Sequence, residues 1–264
     1  MKFKECSALV TGGAGGLGGA TTRRLFELGV GVVIFEPEFE RAKALADELG
    51  GRAAPFAGDH NSEDDVLAAI EETKKLGVFS INVNSAGVAI ETPATATADG
   101  TPHDMGTFRE MLDLHLMGPF NVCRLSAAAF AANAPDEDDQ RGVIVNTSST
   151  AAFDGQGRQA AYAAAKAGIA ALTLTMARDL APIGVRACAI APGPIWTPRL
   201  AGAPQSLLDE LTSNIAFPKR FGNPEEFASL VEAILRTPFL NGQTIRLDGA
   251  LSTPLTQFAA KSAG

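Results

Sequence analysis

The chain has 264 residues, 46% hydrophobic and 20% charged, long enough for a core that needs no covalent staple. Three scattered cysteines with no Cys-x-x-Cys pair exclude a disulfide scaffold and give no metal site. A formal net charge of -8 with no basic run argues against a nucleic-acid partner, and the sequence offers neither an evident membrane span nor a signal-peptide pattern.

Short apolar runs alternate with helical patterns along the chain. The run 7–10 predicts a strand, followed by a glycine cluster and a helix around 20–28. A second strand at 32–35 leads into a charged helix ending near Leu49. A helix at 63–75 precedes a strand at 78–83. Residues 90–105, rich in Thr, Ala and Pro, form a loop insertion before a long helix at 107–132. The acidic run at 136–139 reads as a solvated loop. A strand at 143–145, a helix at 160–180 and a strand at 185–190 come next. Residues 194–221 carry prolines at 194, 198, 204 and 218 around a helical patch at 206–212; such a segment commonly covers a binding site. A helix at 224–235, a strand at 244–247 and a mobile tail after Leu255 complete the pattern. Strands and helices alternating in this way require βαβ units. The expectation is one α/β domain over 1–264 on a doubly wound parallel sheet.

Thr11-Gly12-Gly13-Ala14-Gly15-Gly16-Leu17-Gly18 lies between the first strand and the first helix. Glycines there let the backbone approach a pyrophosphate, which then sits on unpaired N–H groups at the helix N-terminus. Two spacings fit equally, Gly13-x-Gly15-x-x-Gly18 and Gly12-x-x-x-Gly16-x-Gly18. Glu36 closes the second strand eighteen positions beyond Gly18. An acid there accepts the ribose hydroxyls of NAD and repels the extra phosphate of NADP. The first basic residue after it is Arg41.

Tyr162, the only tyrosine, and Lys166 are one helical turn apart on the same face. A phenol is a poor base at neutral pH, and a nearby ammonium lowers its pKa. Ser149, thirteen residues upstream of Tyr162, follows the strand at 143–145, where its hydroxyl could hold a substrate oxygen or simply cap a turn.

These features, together with Asn84-Ser85-Ala86-Gly87 and Pro192-Gly193-Pro194-Ile195-Trp196-Thr197, resemble the short-chain dehydrogenases/reductases in order and over nearly the whole chain. Several stretches are similar to the type-2 3-hydroxyacyl-CoA dehydrogenases: 142–149, 152–156, 177–184, 215–222 and 238–249. The insertion at 90–105 falls in the same place in that subfamily. The resemblance implies a single-domain Rossmann fold with Tyr162 as general acid/base. Ser149 would polarise the carbonyl, Lys166 would bind the nicotinamide ribose, and Gln156 would help place substrate. It implies an NAD site lined by Gly12, Gly16, Leu17, Gly18, Glu36, Asp59, His60, Asn84, Gly87, Pro192, Ile195 and Thr197, with Tyr162 and Lys166. Asp59 and the His60 backbone would flank adenine, and Thr197 would hold the carboxamide.

One position departs from the family pattern. Where the family has a catalytic Asn, this chain reads Leu114-His115-Leu116-Met117-Gly118. An imidazole donates or accepts at either nitrogen and titrates near neutral pH, so His115 could serve a proton relay or be structural.

The leading expectation is NAD-dependent interconversion of (S)-3-hydroxyacyl-CoA and 3-oxoacyl-CoA by a homotetramer. The compartment would be the cytoplasm, or the mitochondrial matrix of a eukaryote. The rivals are a secondary-alcohol or hydroxysteroid dehydrogenase, an NADPH-dependent 3-oxoacyl carrier-protein reductase, and a catalytically silent scaffold. Arg199, Lys219 and Arg220 could meet CoA phosphates or form ordinary salt bridges.

Overall fold

The computed structural model describes residues 1–87, 93–198 and 200–252. Its centre is a seven-stranded parallel sheet of β1 (Cys6–Thr11), β2 (Gly31–Glu36), β3 (Ala53–Ala57), β4 (Val78–Asn84), β5 (Gly142–Thr147), β6 (Val185–Pro192) and β7 (Thr244–Leu247). The order is β3-β2-β1-β4-β5-β6-β7, so the winding reverses between β1 and β4. In doubly wound sheets that reversal opens a crevice beyond the strands' carboxyl ends, which is where ligands bind.

The helices are α1 (Gly16–Glu27), α2 (Phe39–Leu49), α3 (Glu63–Lys75), α4 (Met105–Leu112), α5 (Gly118–Phe130), α6 (Ala160–Leu180), α7 (Gln205–Ser213) and α8 (Pro224–Arg236). β1 and β2 are buried along their whole length, as strands covered on both faces must be. Side chains alternate between two cores. Ala8, Val10, Val32, Ile81 and Val83 join Leu25 of α1 and Phe227 and Val231 of α8. Leu9, Val33 and Ile144 face the other way, toward Val66 and Ile70 of α3, Val122 of α5 and Met176 of α6.

Three expectations are corrected. The sequence pattern missed β3, whose residues are mostly half-buried and include Pro55. As the edge strand, β3 tolerates a residue that cannot donate to a ladder. The long helix at 107–132 is interrupted by a π-helical turn at Asp113–Met117, closed by the Gly118 N–H donating to the carbonyl of Asp113. Pro119 has no N–H for the carbonyl of His115 four residues back, so the α-ladder shifts register there. Finally, α6 extended to Ile183 is long and apolar enough to cross a membrane by length and composition. Its apolarity comes largely from alanine. The stripe Ala161, Ala165, Ile169, Thr173 and Met176 is buried, so its place here is that of a core helix.

Two arginines, Arg52 half-buried and Arg186 buried, tie loops to the sheet. Arg52 donates to the carbonyls of Leu76, Lys4, Gly29 and Cys6. Arg186 on β6 donates to Gln140 and to the carbonyls of Ile234 and Leu240, adding a second donor to a carbonyl in the last turn of α8. The expected tail after Leu255, residues 90–92 of the insertion and Arg199 lie outside the described residues.

Candidate active site

A cavity of about 2010 Å³ runs along the carboxyl end of the sheet. Ordinary small-ligand pockets measure roughly 300–1,000 Å³, so this one has room for a dinucleotide and a second molecule. Its nucleotide end is the β1–α1 loop. Gly12 has φ +61°, and a Cβ on it would lie 2.7 Å from the Cα of Ala86. A Cβ on Gly16 would lie 2.6 Å from the Thr197 methyl, and one on Gly18 would lie 2.0 Å from the carbonyl oxygen of Gly12. A Cβ on Gly13 would lie 2.7 Å from the Val10 carbonyl oxygen, as tight as at Gly12. The two spacings therefore differ only at Gly15, where the nearest atom would be 3.1 Å away and the demand for glycine is weaker. Gly15 is the N-cap of α1 and offers no side-chain acceptor to its first-turn N–H groups. A loop this close to its neighbours, ending in unpaired donors, fits a pyrophosphate.

Glu36 is buried at the end of β2. One carboxylate oxygen accepts the Ala14 N–H at 2.8 Å, and the other lies 3.8 Å from the Arg41 guanidinium. The carboxylate is therefore oriented by the glycine loop itself. Asp59 is exposed at the cavity wall and accepts the Asn61 N–H. His60 is buried, and its ring fills the space that a side chain on Gly118 would need. Its carbonyl accepts from Asn121 at 2.9 Å, and burial holds its imidazole below the ordinary range.

Asn84 is placed differently from the other expected cofactor residues. Its amide donates to Asn146 at 2.8 Å and to Asn82 at 3.0 Å, within a buried polar ladder joining β4 and β5. The cavity wall beside it is formed by Ser85, Ala86 and Gly87 instead. Pro192, Ile195 and Thr197 line the cavity from the segment after β6, and Leu17 lines it from α1.

At the other end Ser149, Tyr162, Lys166 and His115 line the same wall. Ser149 follows β5 and caps a short 3-10 turn, its Oγ accepting the Ala151 N–H at 3.1 Å. The cap and the site are thus one hydroxyl, held in place by the turn it starts. Lys166 reaches back from α6 to donate to the carbonyl of Thr147 at 2.8 Å, and its Nζ lies 5.7 Å from the Tyr162 ring centre. The His115 and Tyr162 rings meet edge to face, 5.0 Å between centres and 89° between planes. The π-helical turn carries His115, whose ring packs where a Cβ on Gly87 would be.

The electrostatics differ from the expectation that Lys166 lowers the tyrosine. Burial pushes the Tyr162 phenol above its ordinary value, opposed by a hydrogen bond with Ser149. Burial also lowers the Lys166 ammonium to about 8. Desolvation therefore governs both groups.

Gln156 is exposed and lines the substrate end. Leu207 and Leu211 of α7 do so as well, from the proline-rich segment. Neither Lys219 nor Arg220 is on the wall. Lys219 donates to the carbonyl of Ser213, and Arg220 forms a two-pronged pair with Glu226, whose carboxyl it holds at about 2. Sequence reasoning did not single out Phe153 or Leu251, both of which line the cavity. Phe153 lies within a recognised stretch, but only the folded chain brings Leu251 beside it. Among the described residues no cluster of His, Cys, Asp and Glu is arranged to hold a metal.

A parallel doubly wound sheet, a glycine-lined crevice at its reversal and a Ser/Tyr/Lys set in the crevice wall define a nucleotide-dependent oxidoreductase. A family model for short chain dehydrogenase matches residues 7–206. The chain belongs to the short-chain dehydrogenase family, and its cofactor is a nicotinamide nucleotide acting with a small-molecule substrate. It is 46% identical over 249 residues to 3-hydroxyacyl-CoA dehydrogenase type-2 of Homo sapiens, covering 94% of this chain and 95% of that one. The Drosophila melanogaster protein of the same name is 45% identical over 250 residues, covering 94% and 98%. The crystal structure of 3-hydroxyacyl-CoA dehydrogenase type-2 from Mycobacterium avium superposes with a TM-score of 0.93 at 46% identity, covering 96% of this chain and 98% of that one.

Proposed function

We propose that the protein is an NAD-dependent dehydrogenase that interconverts (S)-3-hydroxyacyl-CoA and 3-oxoacyl-CoA. The observation that carries this reading is a single cavity with an oriented carboxylate, Glu36, at one end and Ser149, Tyr162 and Lys166 at the other. The high identity to the type-2 enzymes over almost the whole chain supports the substrate class.

Gly12, Gly16 and Gly18 would admit the pyrophosphate, and Glu36 would accept the adenosine ribose hydroxyls. A 2′-phosphate would meet the same carboxylate as a like charge. Arg41 is already engaged by Glu36 and offsets that repulsion only in part. Lys166 would donate to the nicotinamide ribose and Thr197 would meet the carboxamide. The nicotinamide ring supplies the hydride acceptor or donor, and this chain's residues supply position and proton traffic.

In the reductive direction Ser149 donates a hydrogen bond to the carbonyl oxygen and Tyr162 gives it a proton. In the oxidative direction Tyr162 receives the hydroxyl proton. Lys166 stabilises the phenolate formed in the first case and needed in the second. The edge-to-face contact of His115 with the Tyr162 ring supports a relay role for the imidazole, with a purely structural role as the alternative.

A homotetramer is supported by apolar side chains left on helix surfaces: Met117, Phe120 and Leu174 are exposed. Closed symmetry is the common way to cover such faces. Light scattering at micromolar concentration should give four times the chain mass, and a monomer would refute the assembly. The three free cysteines are all buried, and the Cys123 thiol is pushed up to about 12, in keeping with a reducing cytoplasm or matrix. The decisive assay is steady-state turnover with NADH of acetoacetyl-CoA, longer 3-oxoacyl-CoAs, ketosteroids and simple ketones. The reading requires the acyl-CoAs to give the highest kcat/KM. Preference for a ketosteroid or simple ketone would replace the substrate, and no turnover of any carbonyl would replace the function.

A further inference from the structure

The wall around Phe153 and Gln156 belongs to neither a strand nor a long helix, yet it faces the reacting end of the cavity. After the 3-10 turn Thr150–Ala152 the chain passes through Phe153, half exposed over the cavity, and Asp154. Arg158, further along, adopts a left-handed backbone at φ +64°. The Phe153 and Asp154 N–H groups both donate to the Thr150 carbonyl at 2.9 Å, which fixes the start of the loop and leaves the Asp154 side chain to be met from elsewhere.

What meets it comes from the far edge of the sheet. Arg246 on β7 donates to the Asp154 carboxylate at 2.7 Å and to Asp248 at 2.8 Å, and its guanidinium lies 5.7 Å from the Phe153 ring centre. Asp248 is itself held, its other oxygen accepting the Ala250 N–H at 3.1 Å. The turn that follows is fastened to two further walls. The Leu247 carbonyl accepts from Gly193 at 2.9 Å, beside the cavity-lining prolines after β6. The Gly249 carbonyl accepts from Ala216 and Phe217, and Ser252 donates to Asn214, on the segment that follows α7.

Arg246 thus links the Phe153 loop to a turn that already holds the loop after β6 and the α7 segment. We infer that Arg246 is a positioning residue for substrate: by bridging Asp154 and Asp248 beneath the Phe153 ring, it fixes the apolar wall against which the carbonyl substrate lies. It touches neither Ser149 nor Tyr162, so the chemistry itself does not pass through it. An ion pair about one-third exposed adds little to global stability, so its effect belongs in loop order rather than in folding. Arginine suits the task because its planar fork meets two carboxylates at once while its face lies on a ring.

The inference rests on the dehydrogenase reading, and the experiment separates the two. Arg246→Gln, Asp154→Asn, the double variant and Arg246→Lys are compared with the unmodified protein. Measurements are NADH affinity by fluorescence titration, and kcat and KM for acetoacetyl-CoA. Arg246→Gln is expected to raise KM about tenfold while leaving kcat and NADH affinity within roughly twofold. Asp154→Asn should do the same, the double variant should be no worse than either single change, and Arg246→Lys should recover part of the loss. An unmoved KM, additive effects in the double variant, or equal losses in kcat and NADH affinity would overturn the positioning role while leaving the dehydrogenase reading intact. Failure of the unmodified protein to reduce any carbonyl would overturn that reading, and this inference with it.

Discussion

Lys166→Met should make the protein more stable and inactive at once. Burial lowers the ammonium from 10.5 to about 8. At ~1.4 kcal/mol for each tenfold, the charged lysine costs the folded state about 3 kcal/mol at neutral pH. Methionine removes that cost but leaves the Thr147 carbonyl without its 2.8 Å donor, a loss of roughly 1–2 kcal/mol. The net expectation is a gain of about 1–2 kcal/mol, or roughly 2–8 °C in Tm.

The pH dependence carries the sharper test. Because the folded pKa lies below the unfolded one, the unfolded chain binds more protons between about 8 and 10.5. Stability of the unmodified protein relative to Lys166→Met is therefore lowest below pH 8. It rises by up to ~1.4 kcal/mol per pH unit through that window and is fully regained above it. Denaturant unfolding of both proteins from pH 7 to 10.5 measures the difference. Parallel curves, or a variant that loses 3 kcal/mol or more at pH 7, would refute the reasoning.

Three further outcomes follow from the same geometry. NADH should be strongly preferred over NADPH, and Glu36→Ala should relax that preference; equal kcat/KM for the two cofactors in the unmodified protein would sink the assignment. Tyr162→Phe should abolish turnover at every pH, whereas His115→Asn should keep most activity and remove an acidic limb from the kcat profile if the imidazole serves a relay. Superimposable profiles would make the histidine structural. Gly18→Ala drives a methyl into the Gly12 carbonyl, so it should destabilise the fold by roughly 1–3 kcal/mol and abolish cofactor binding in a titration. Retained affinity would show that the glycine loop is not the pyrophosphate seat.

The sequence was most legible where one residue type must occupy one place in a local pattern. Continuous Val and Ile runs mark β2 and β5 because a strand covered on both faces has no polar side to show. Tyr162 and Lys166 were visible because a helix brings positions four apart to one face. β3 was hidden by Pro55, which an edge strand tolerates and a pattern search rejects. The start of α1 was hidden by glycines whose value is steric rather than helical. The interruption at His115 did have a signal, Gly118-Pro119, but its consequence four residues upstream requires the hydrogen-bond ladder to be traced. Asn84 looked like a cavity residue because its partners, Asn82 and Asn146, are settled only by strand register. Arg246 was least visible, since its partner Asp154 is 92 residues away.

The resting charge states at first seem wrong for catalysis, with the phenol raised and the ammonium lowered. Both follow from one cause, burial against the wall, which penalises an isolated charge of either sign. At neutral pH Tyr162 is then a neutral proton donor, and Lys166, near 8, is still mostly charged. In the proposed mechanism proton donation in reduction would leave a phenolate beside that ammonium and within reach of the Ser149 hydroxyl. Opposite charges attract more strongly where water is excluded, so the penalty each bears alone becomes mutual stabilisation when both are present. That interaction is absent at rest and appears only as the proton leaves Tyr162. An interaction of this kind lowers the barrier rather than the ground state. In the proposed mechanism burial of the pair is therefore part of the chemistry, and the unfavourable position of Lys166 is offset only while the tyrosine is giving up its proton.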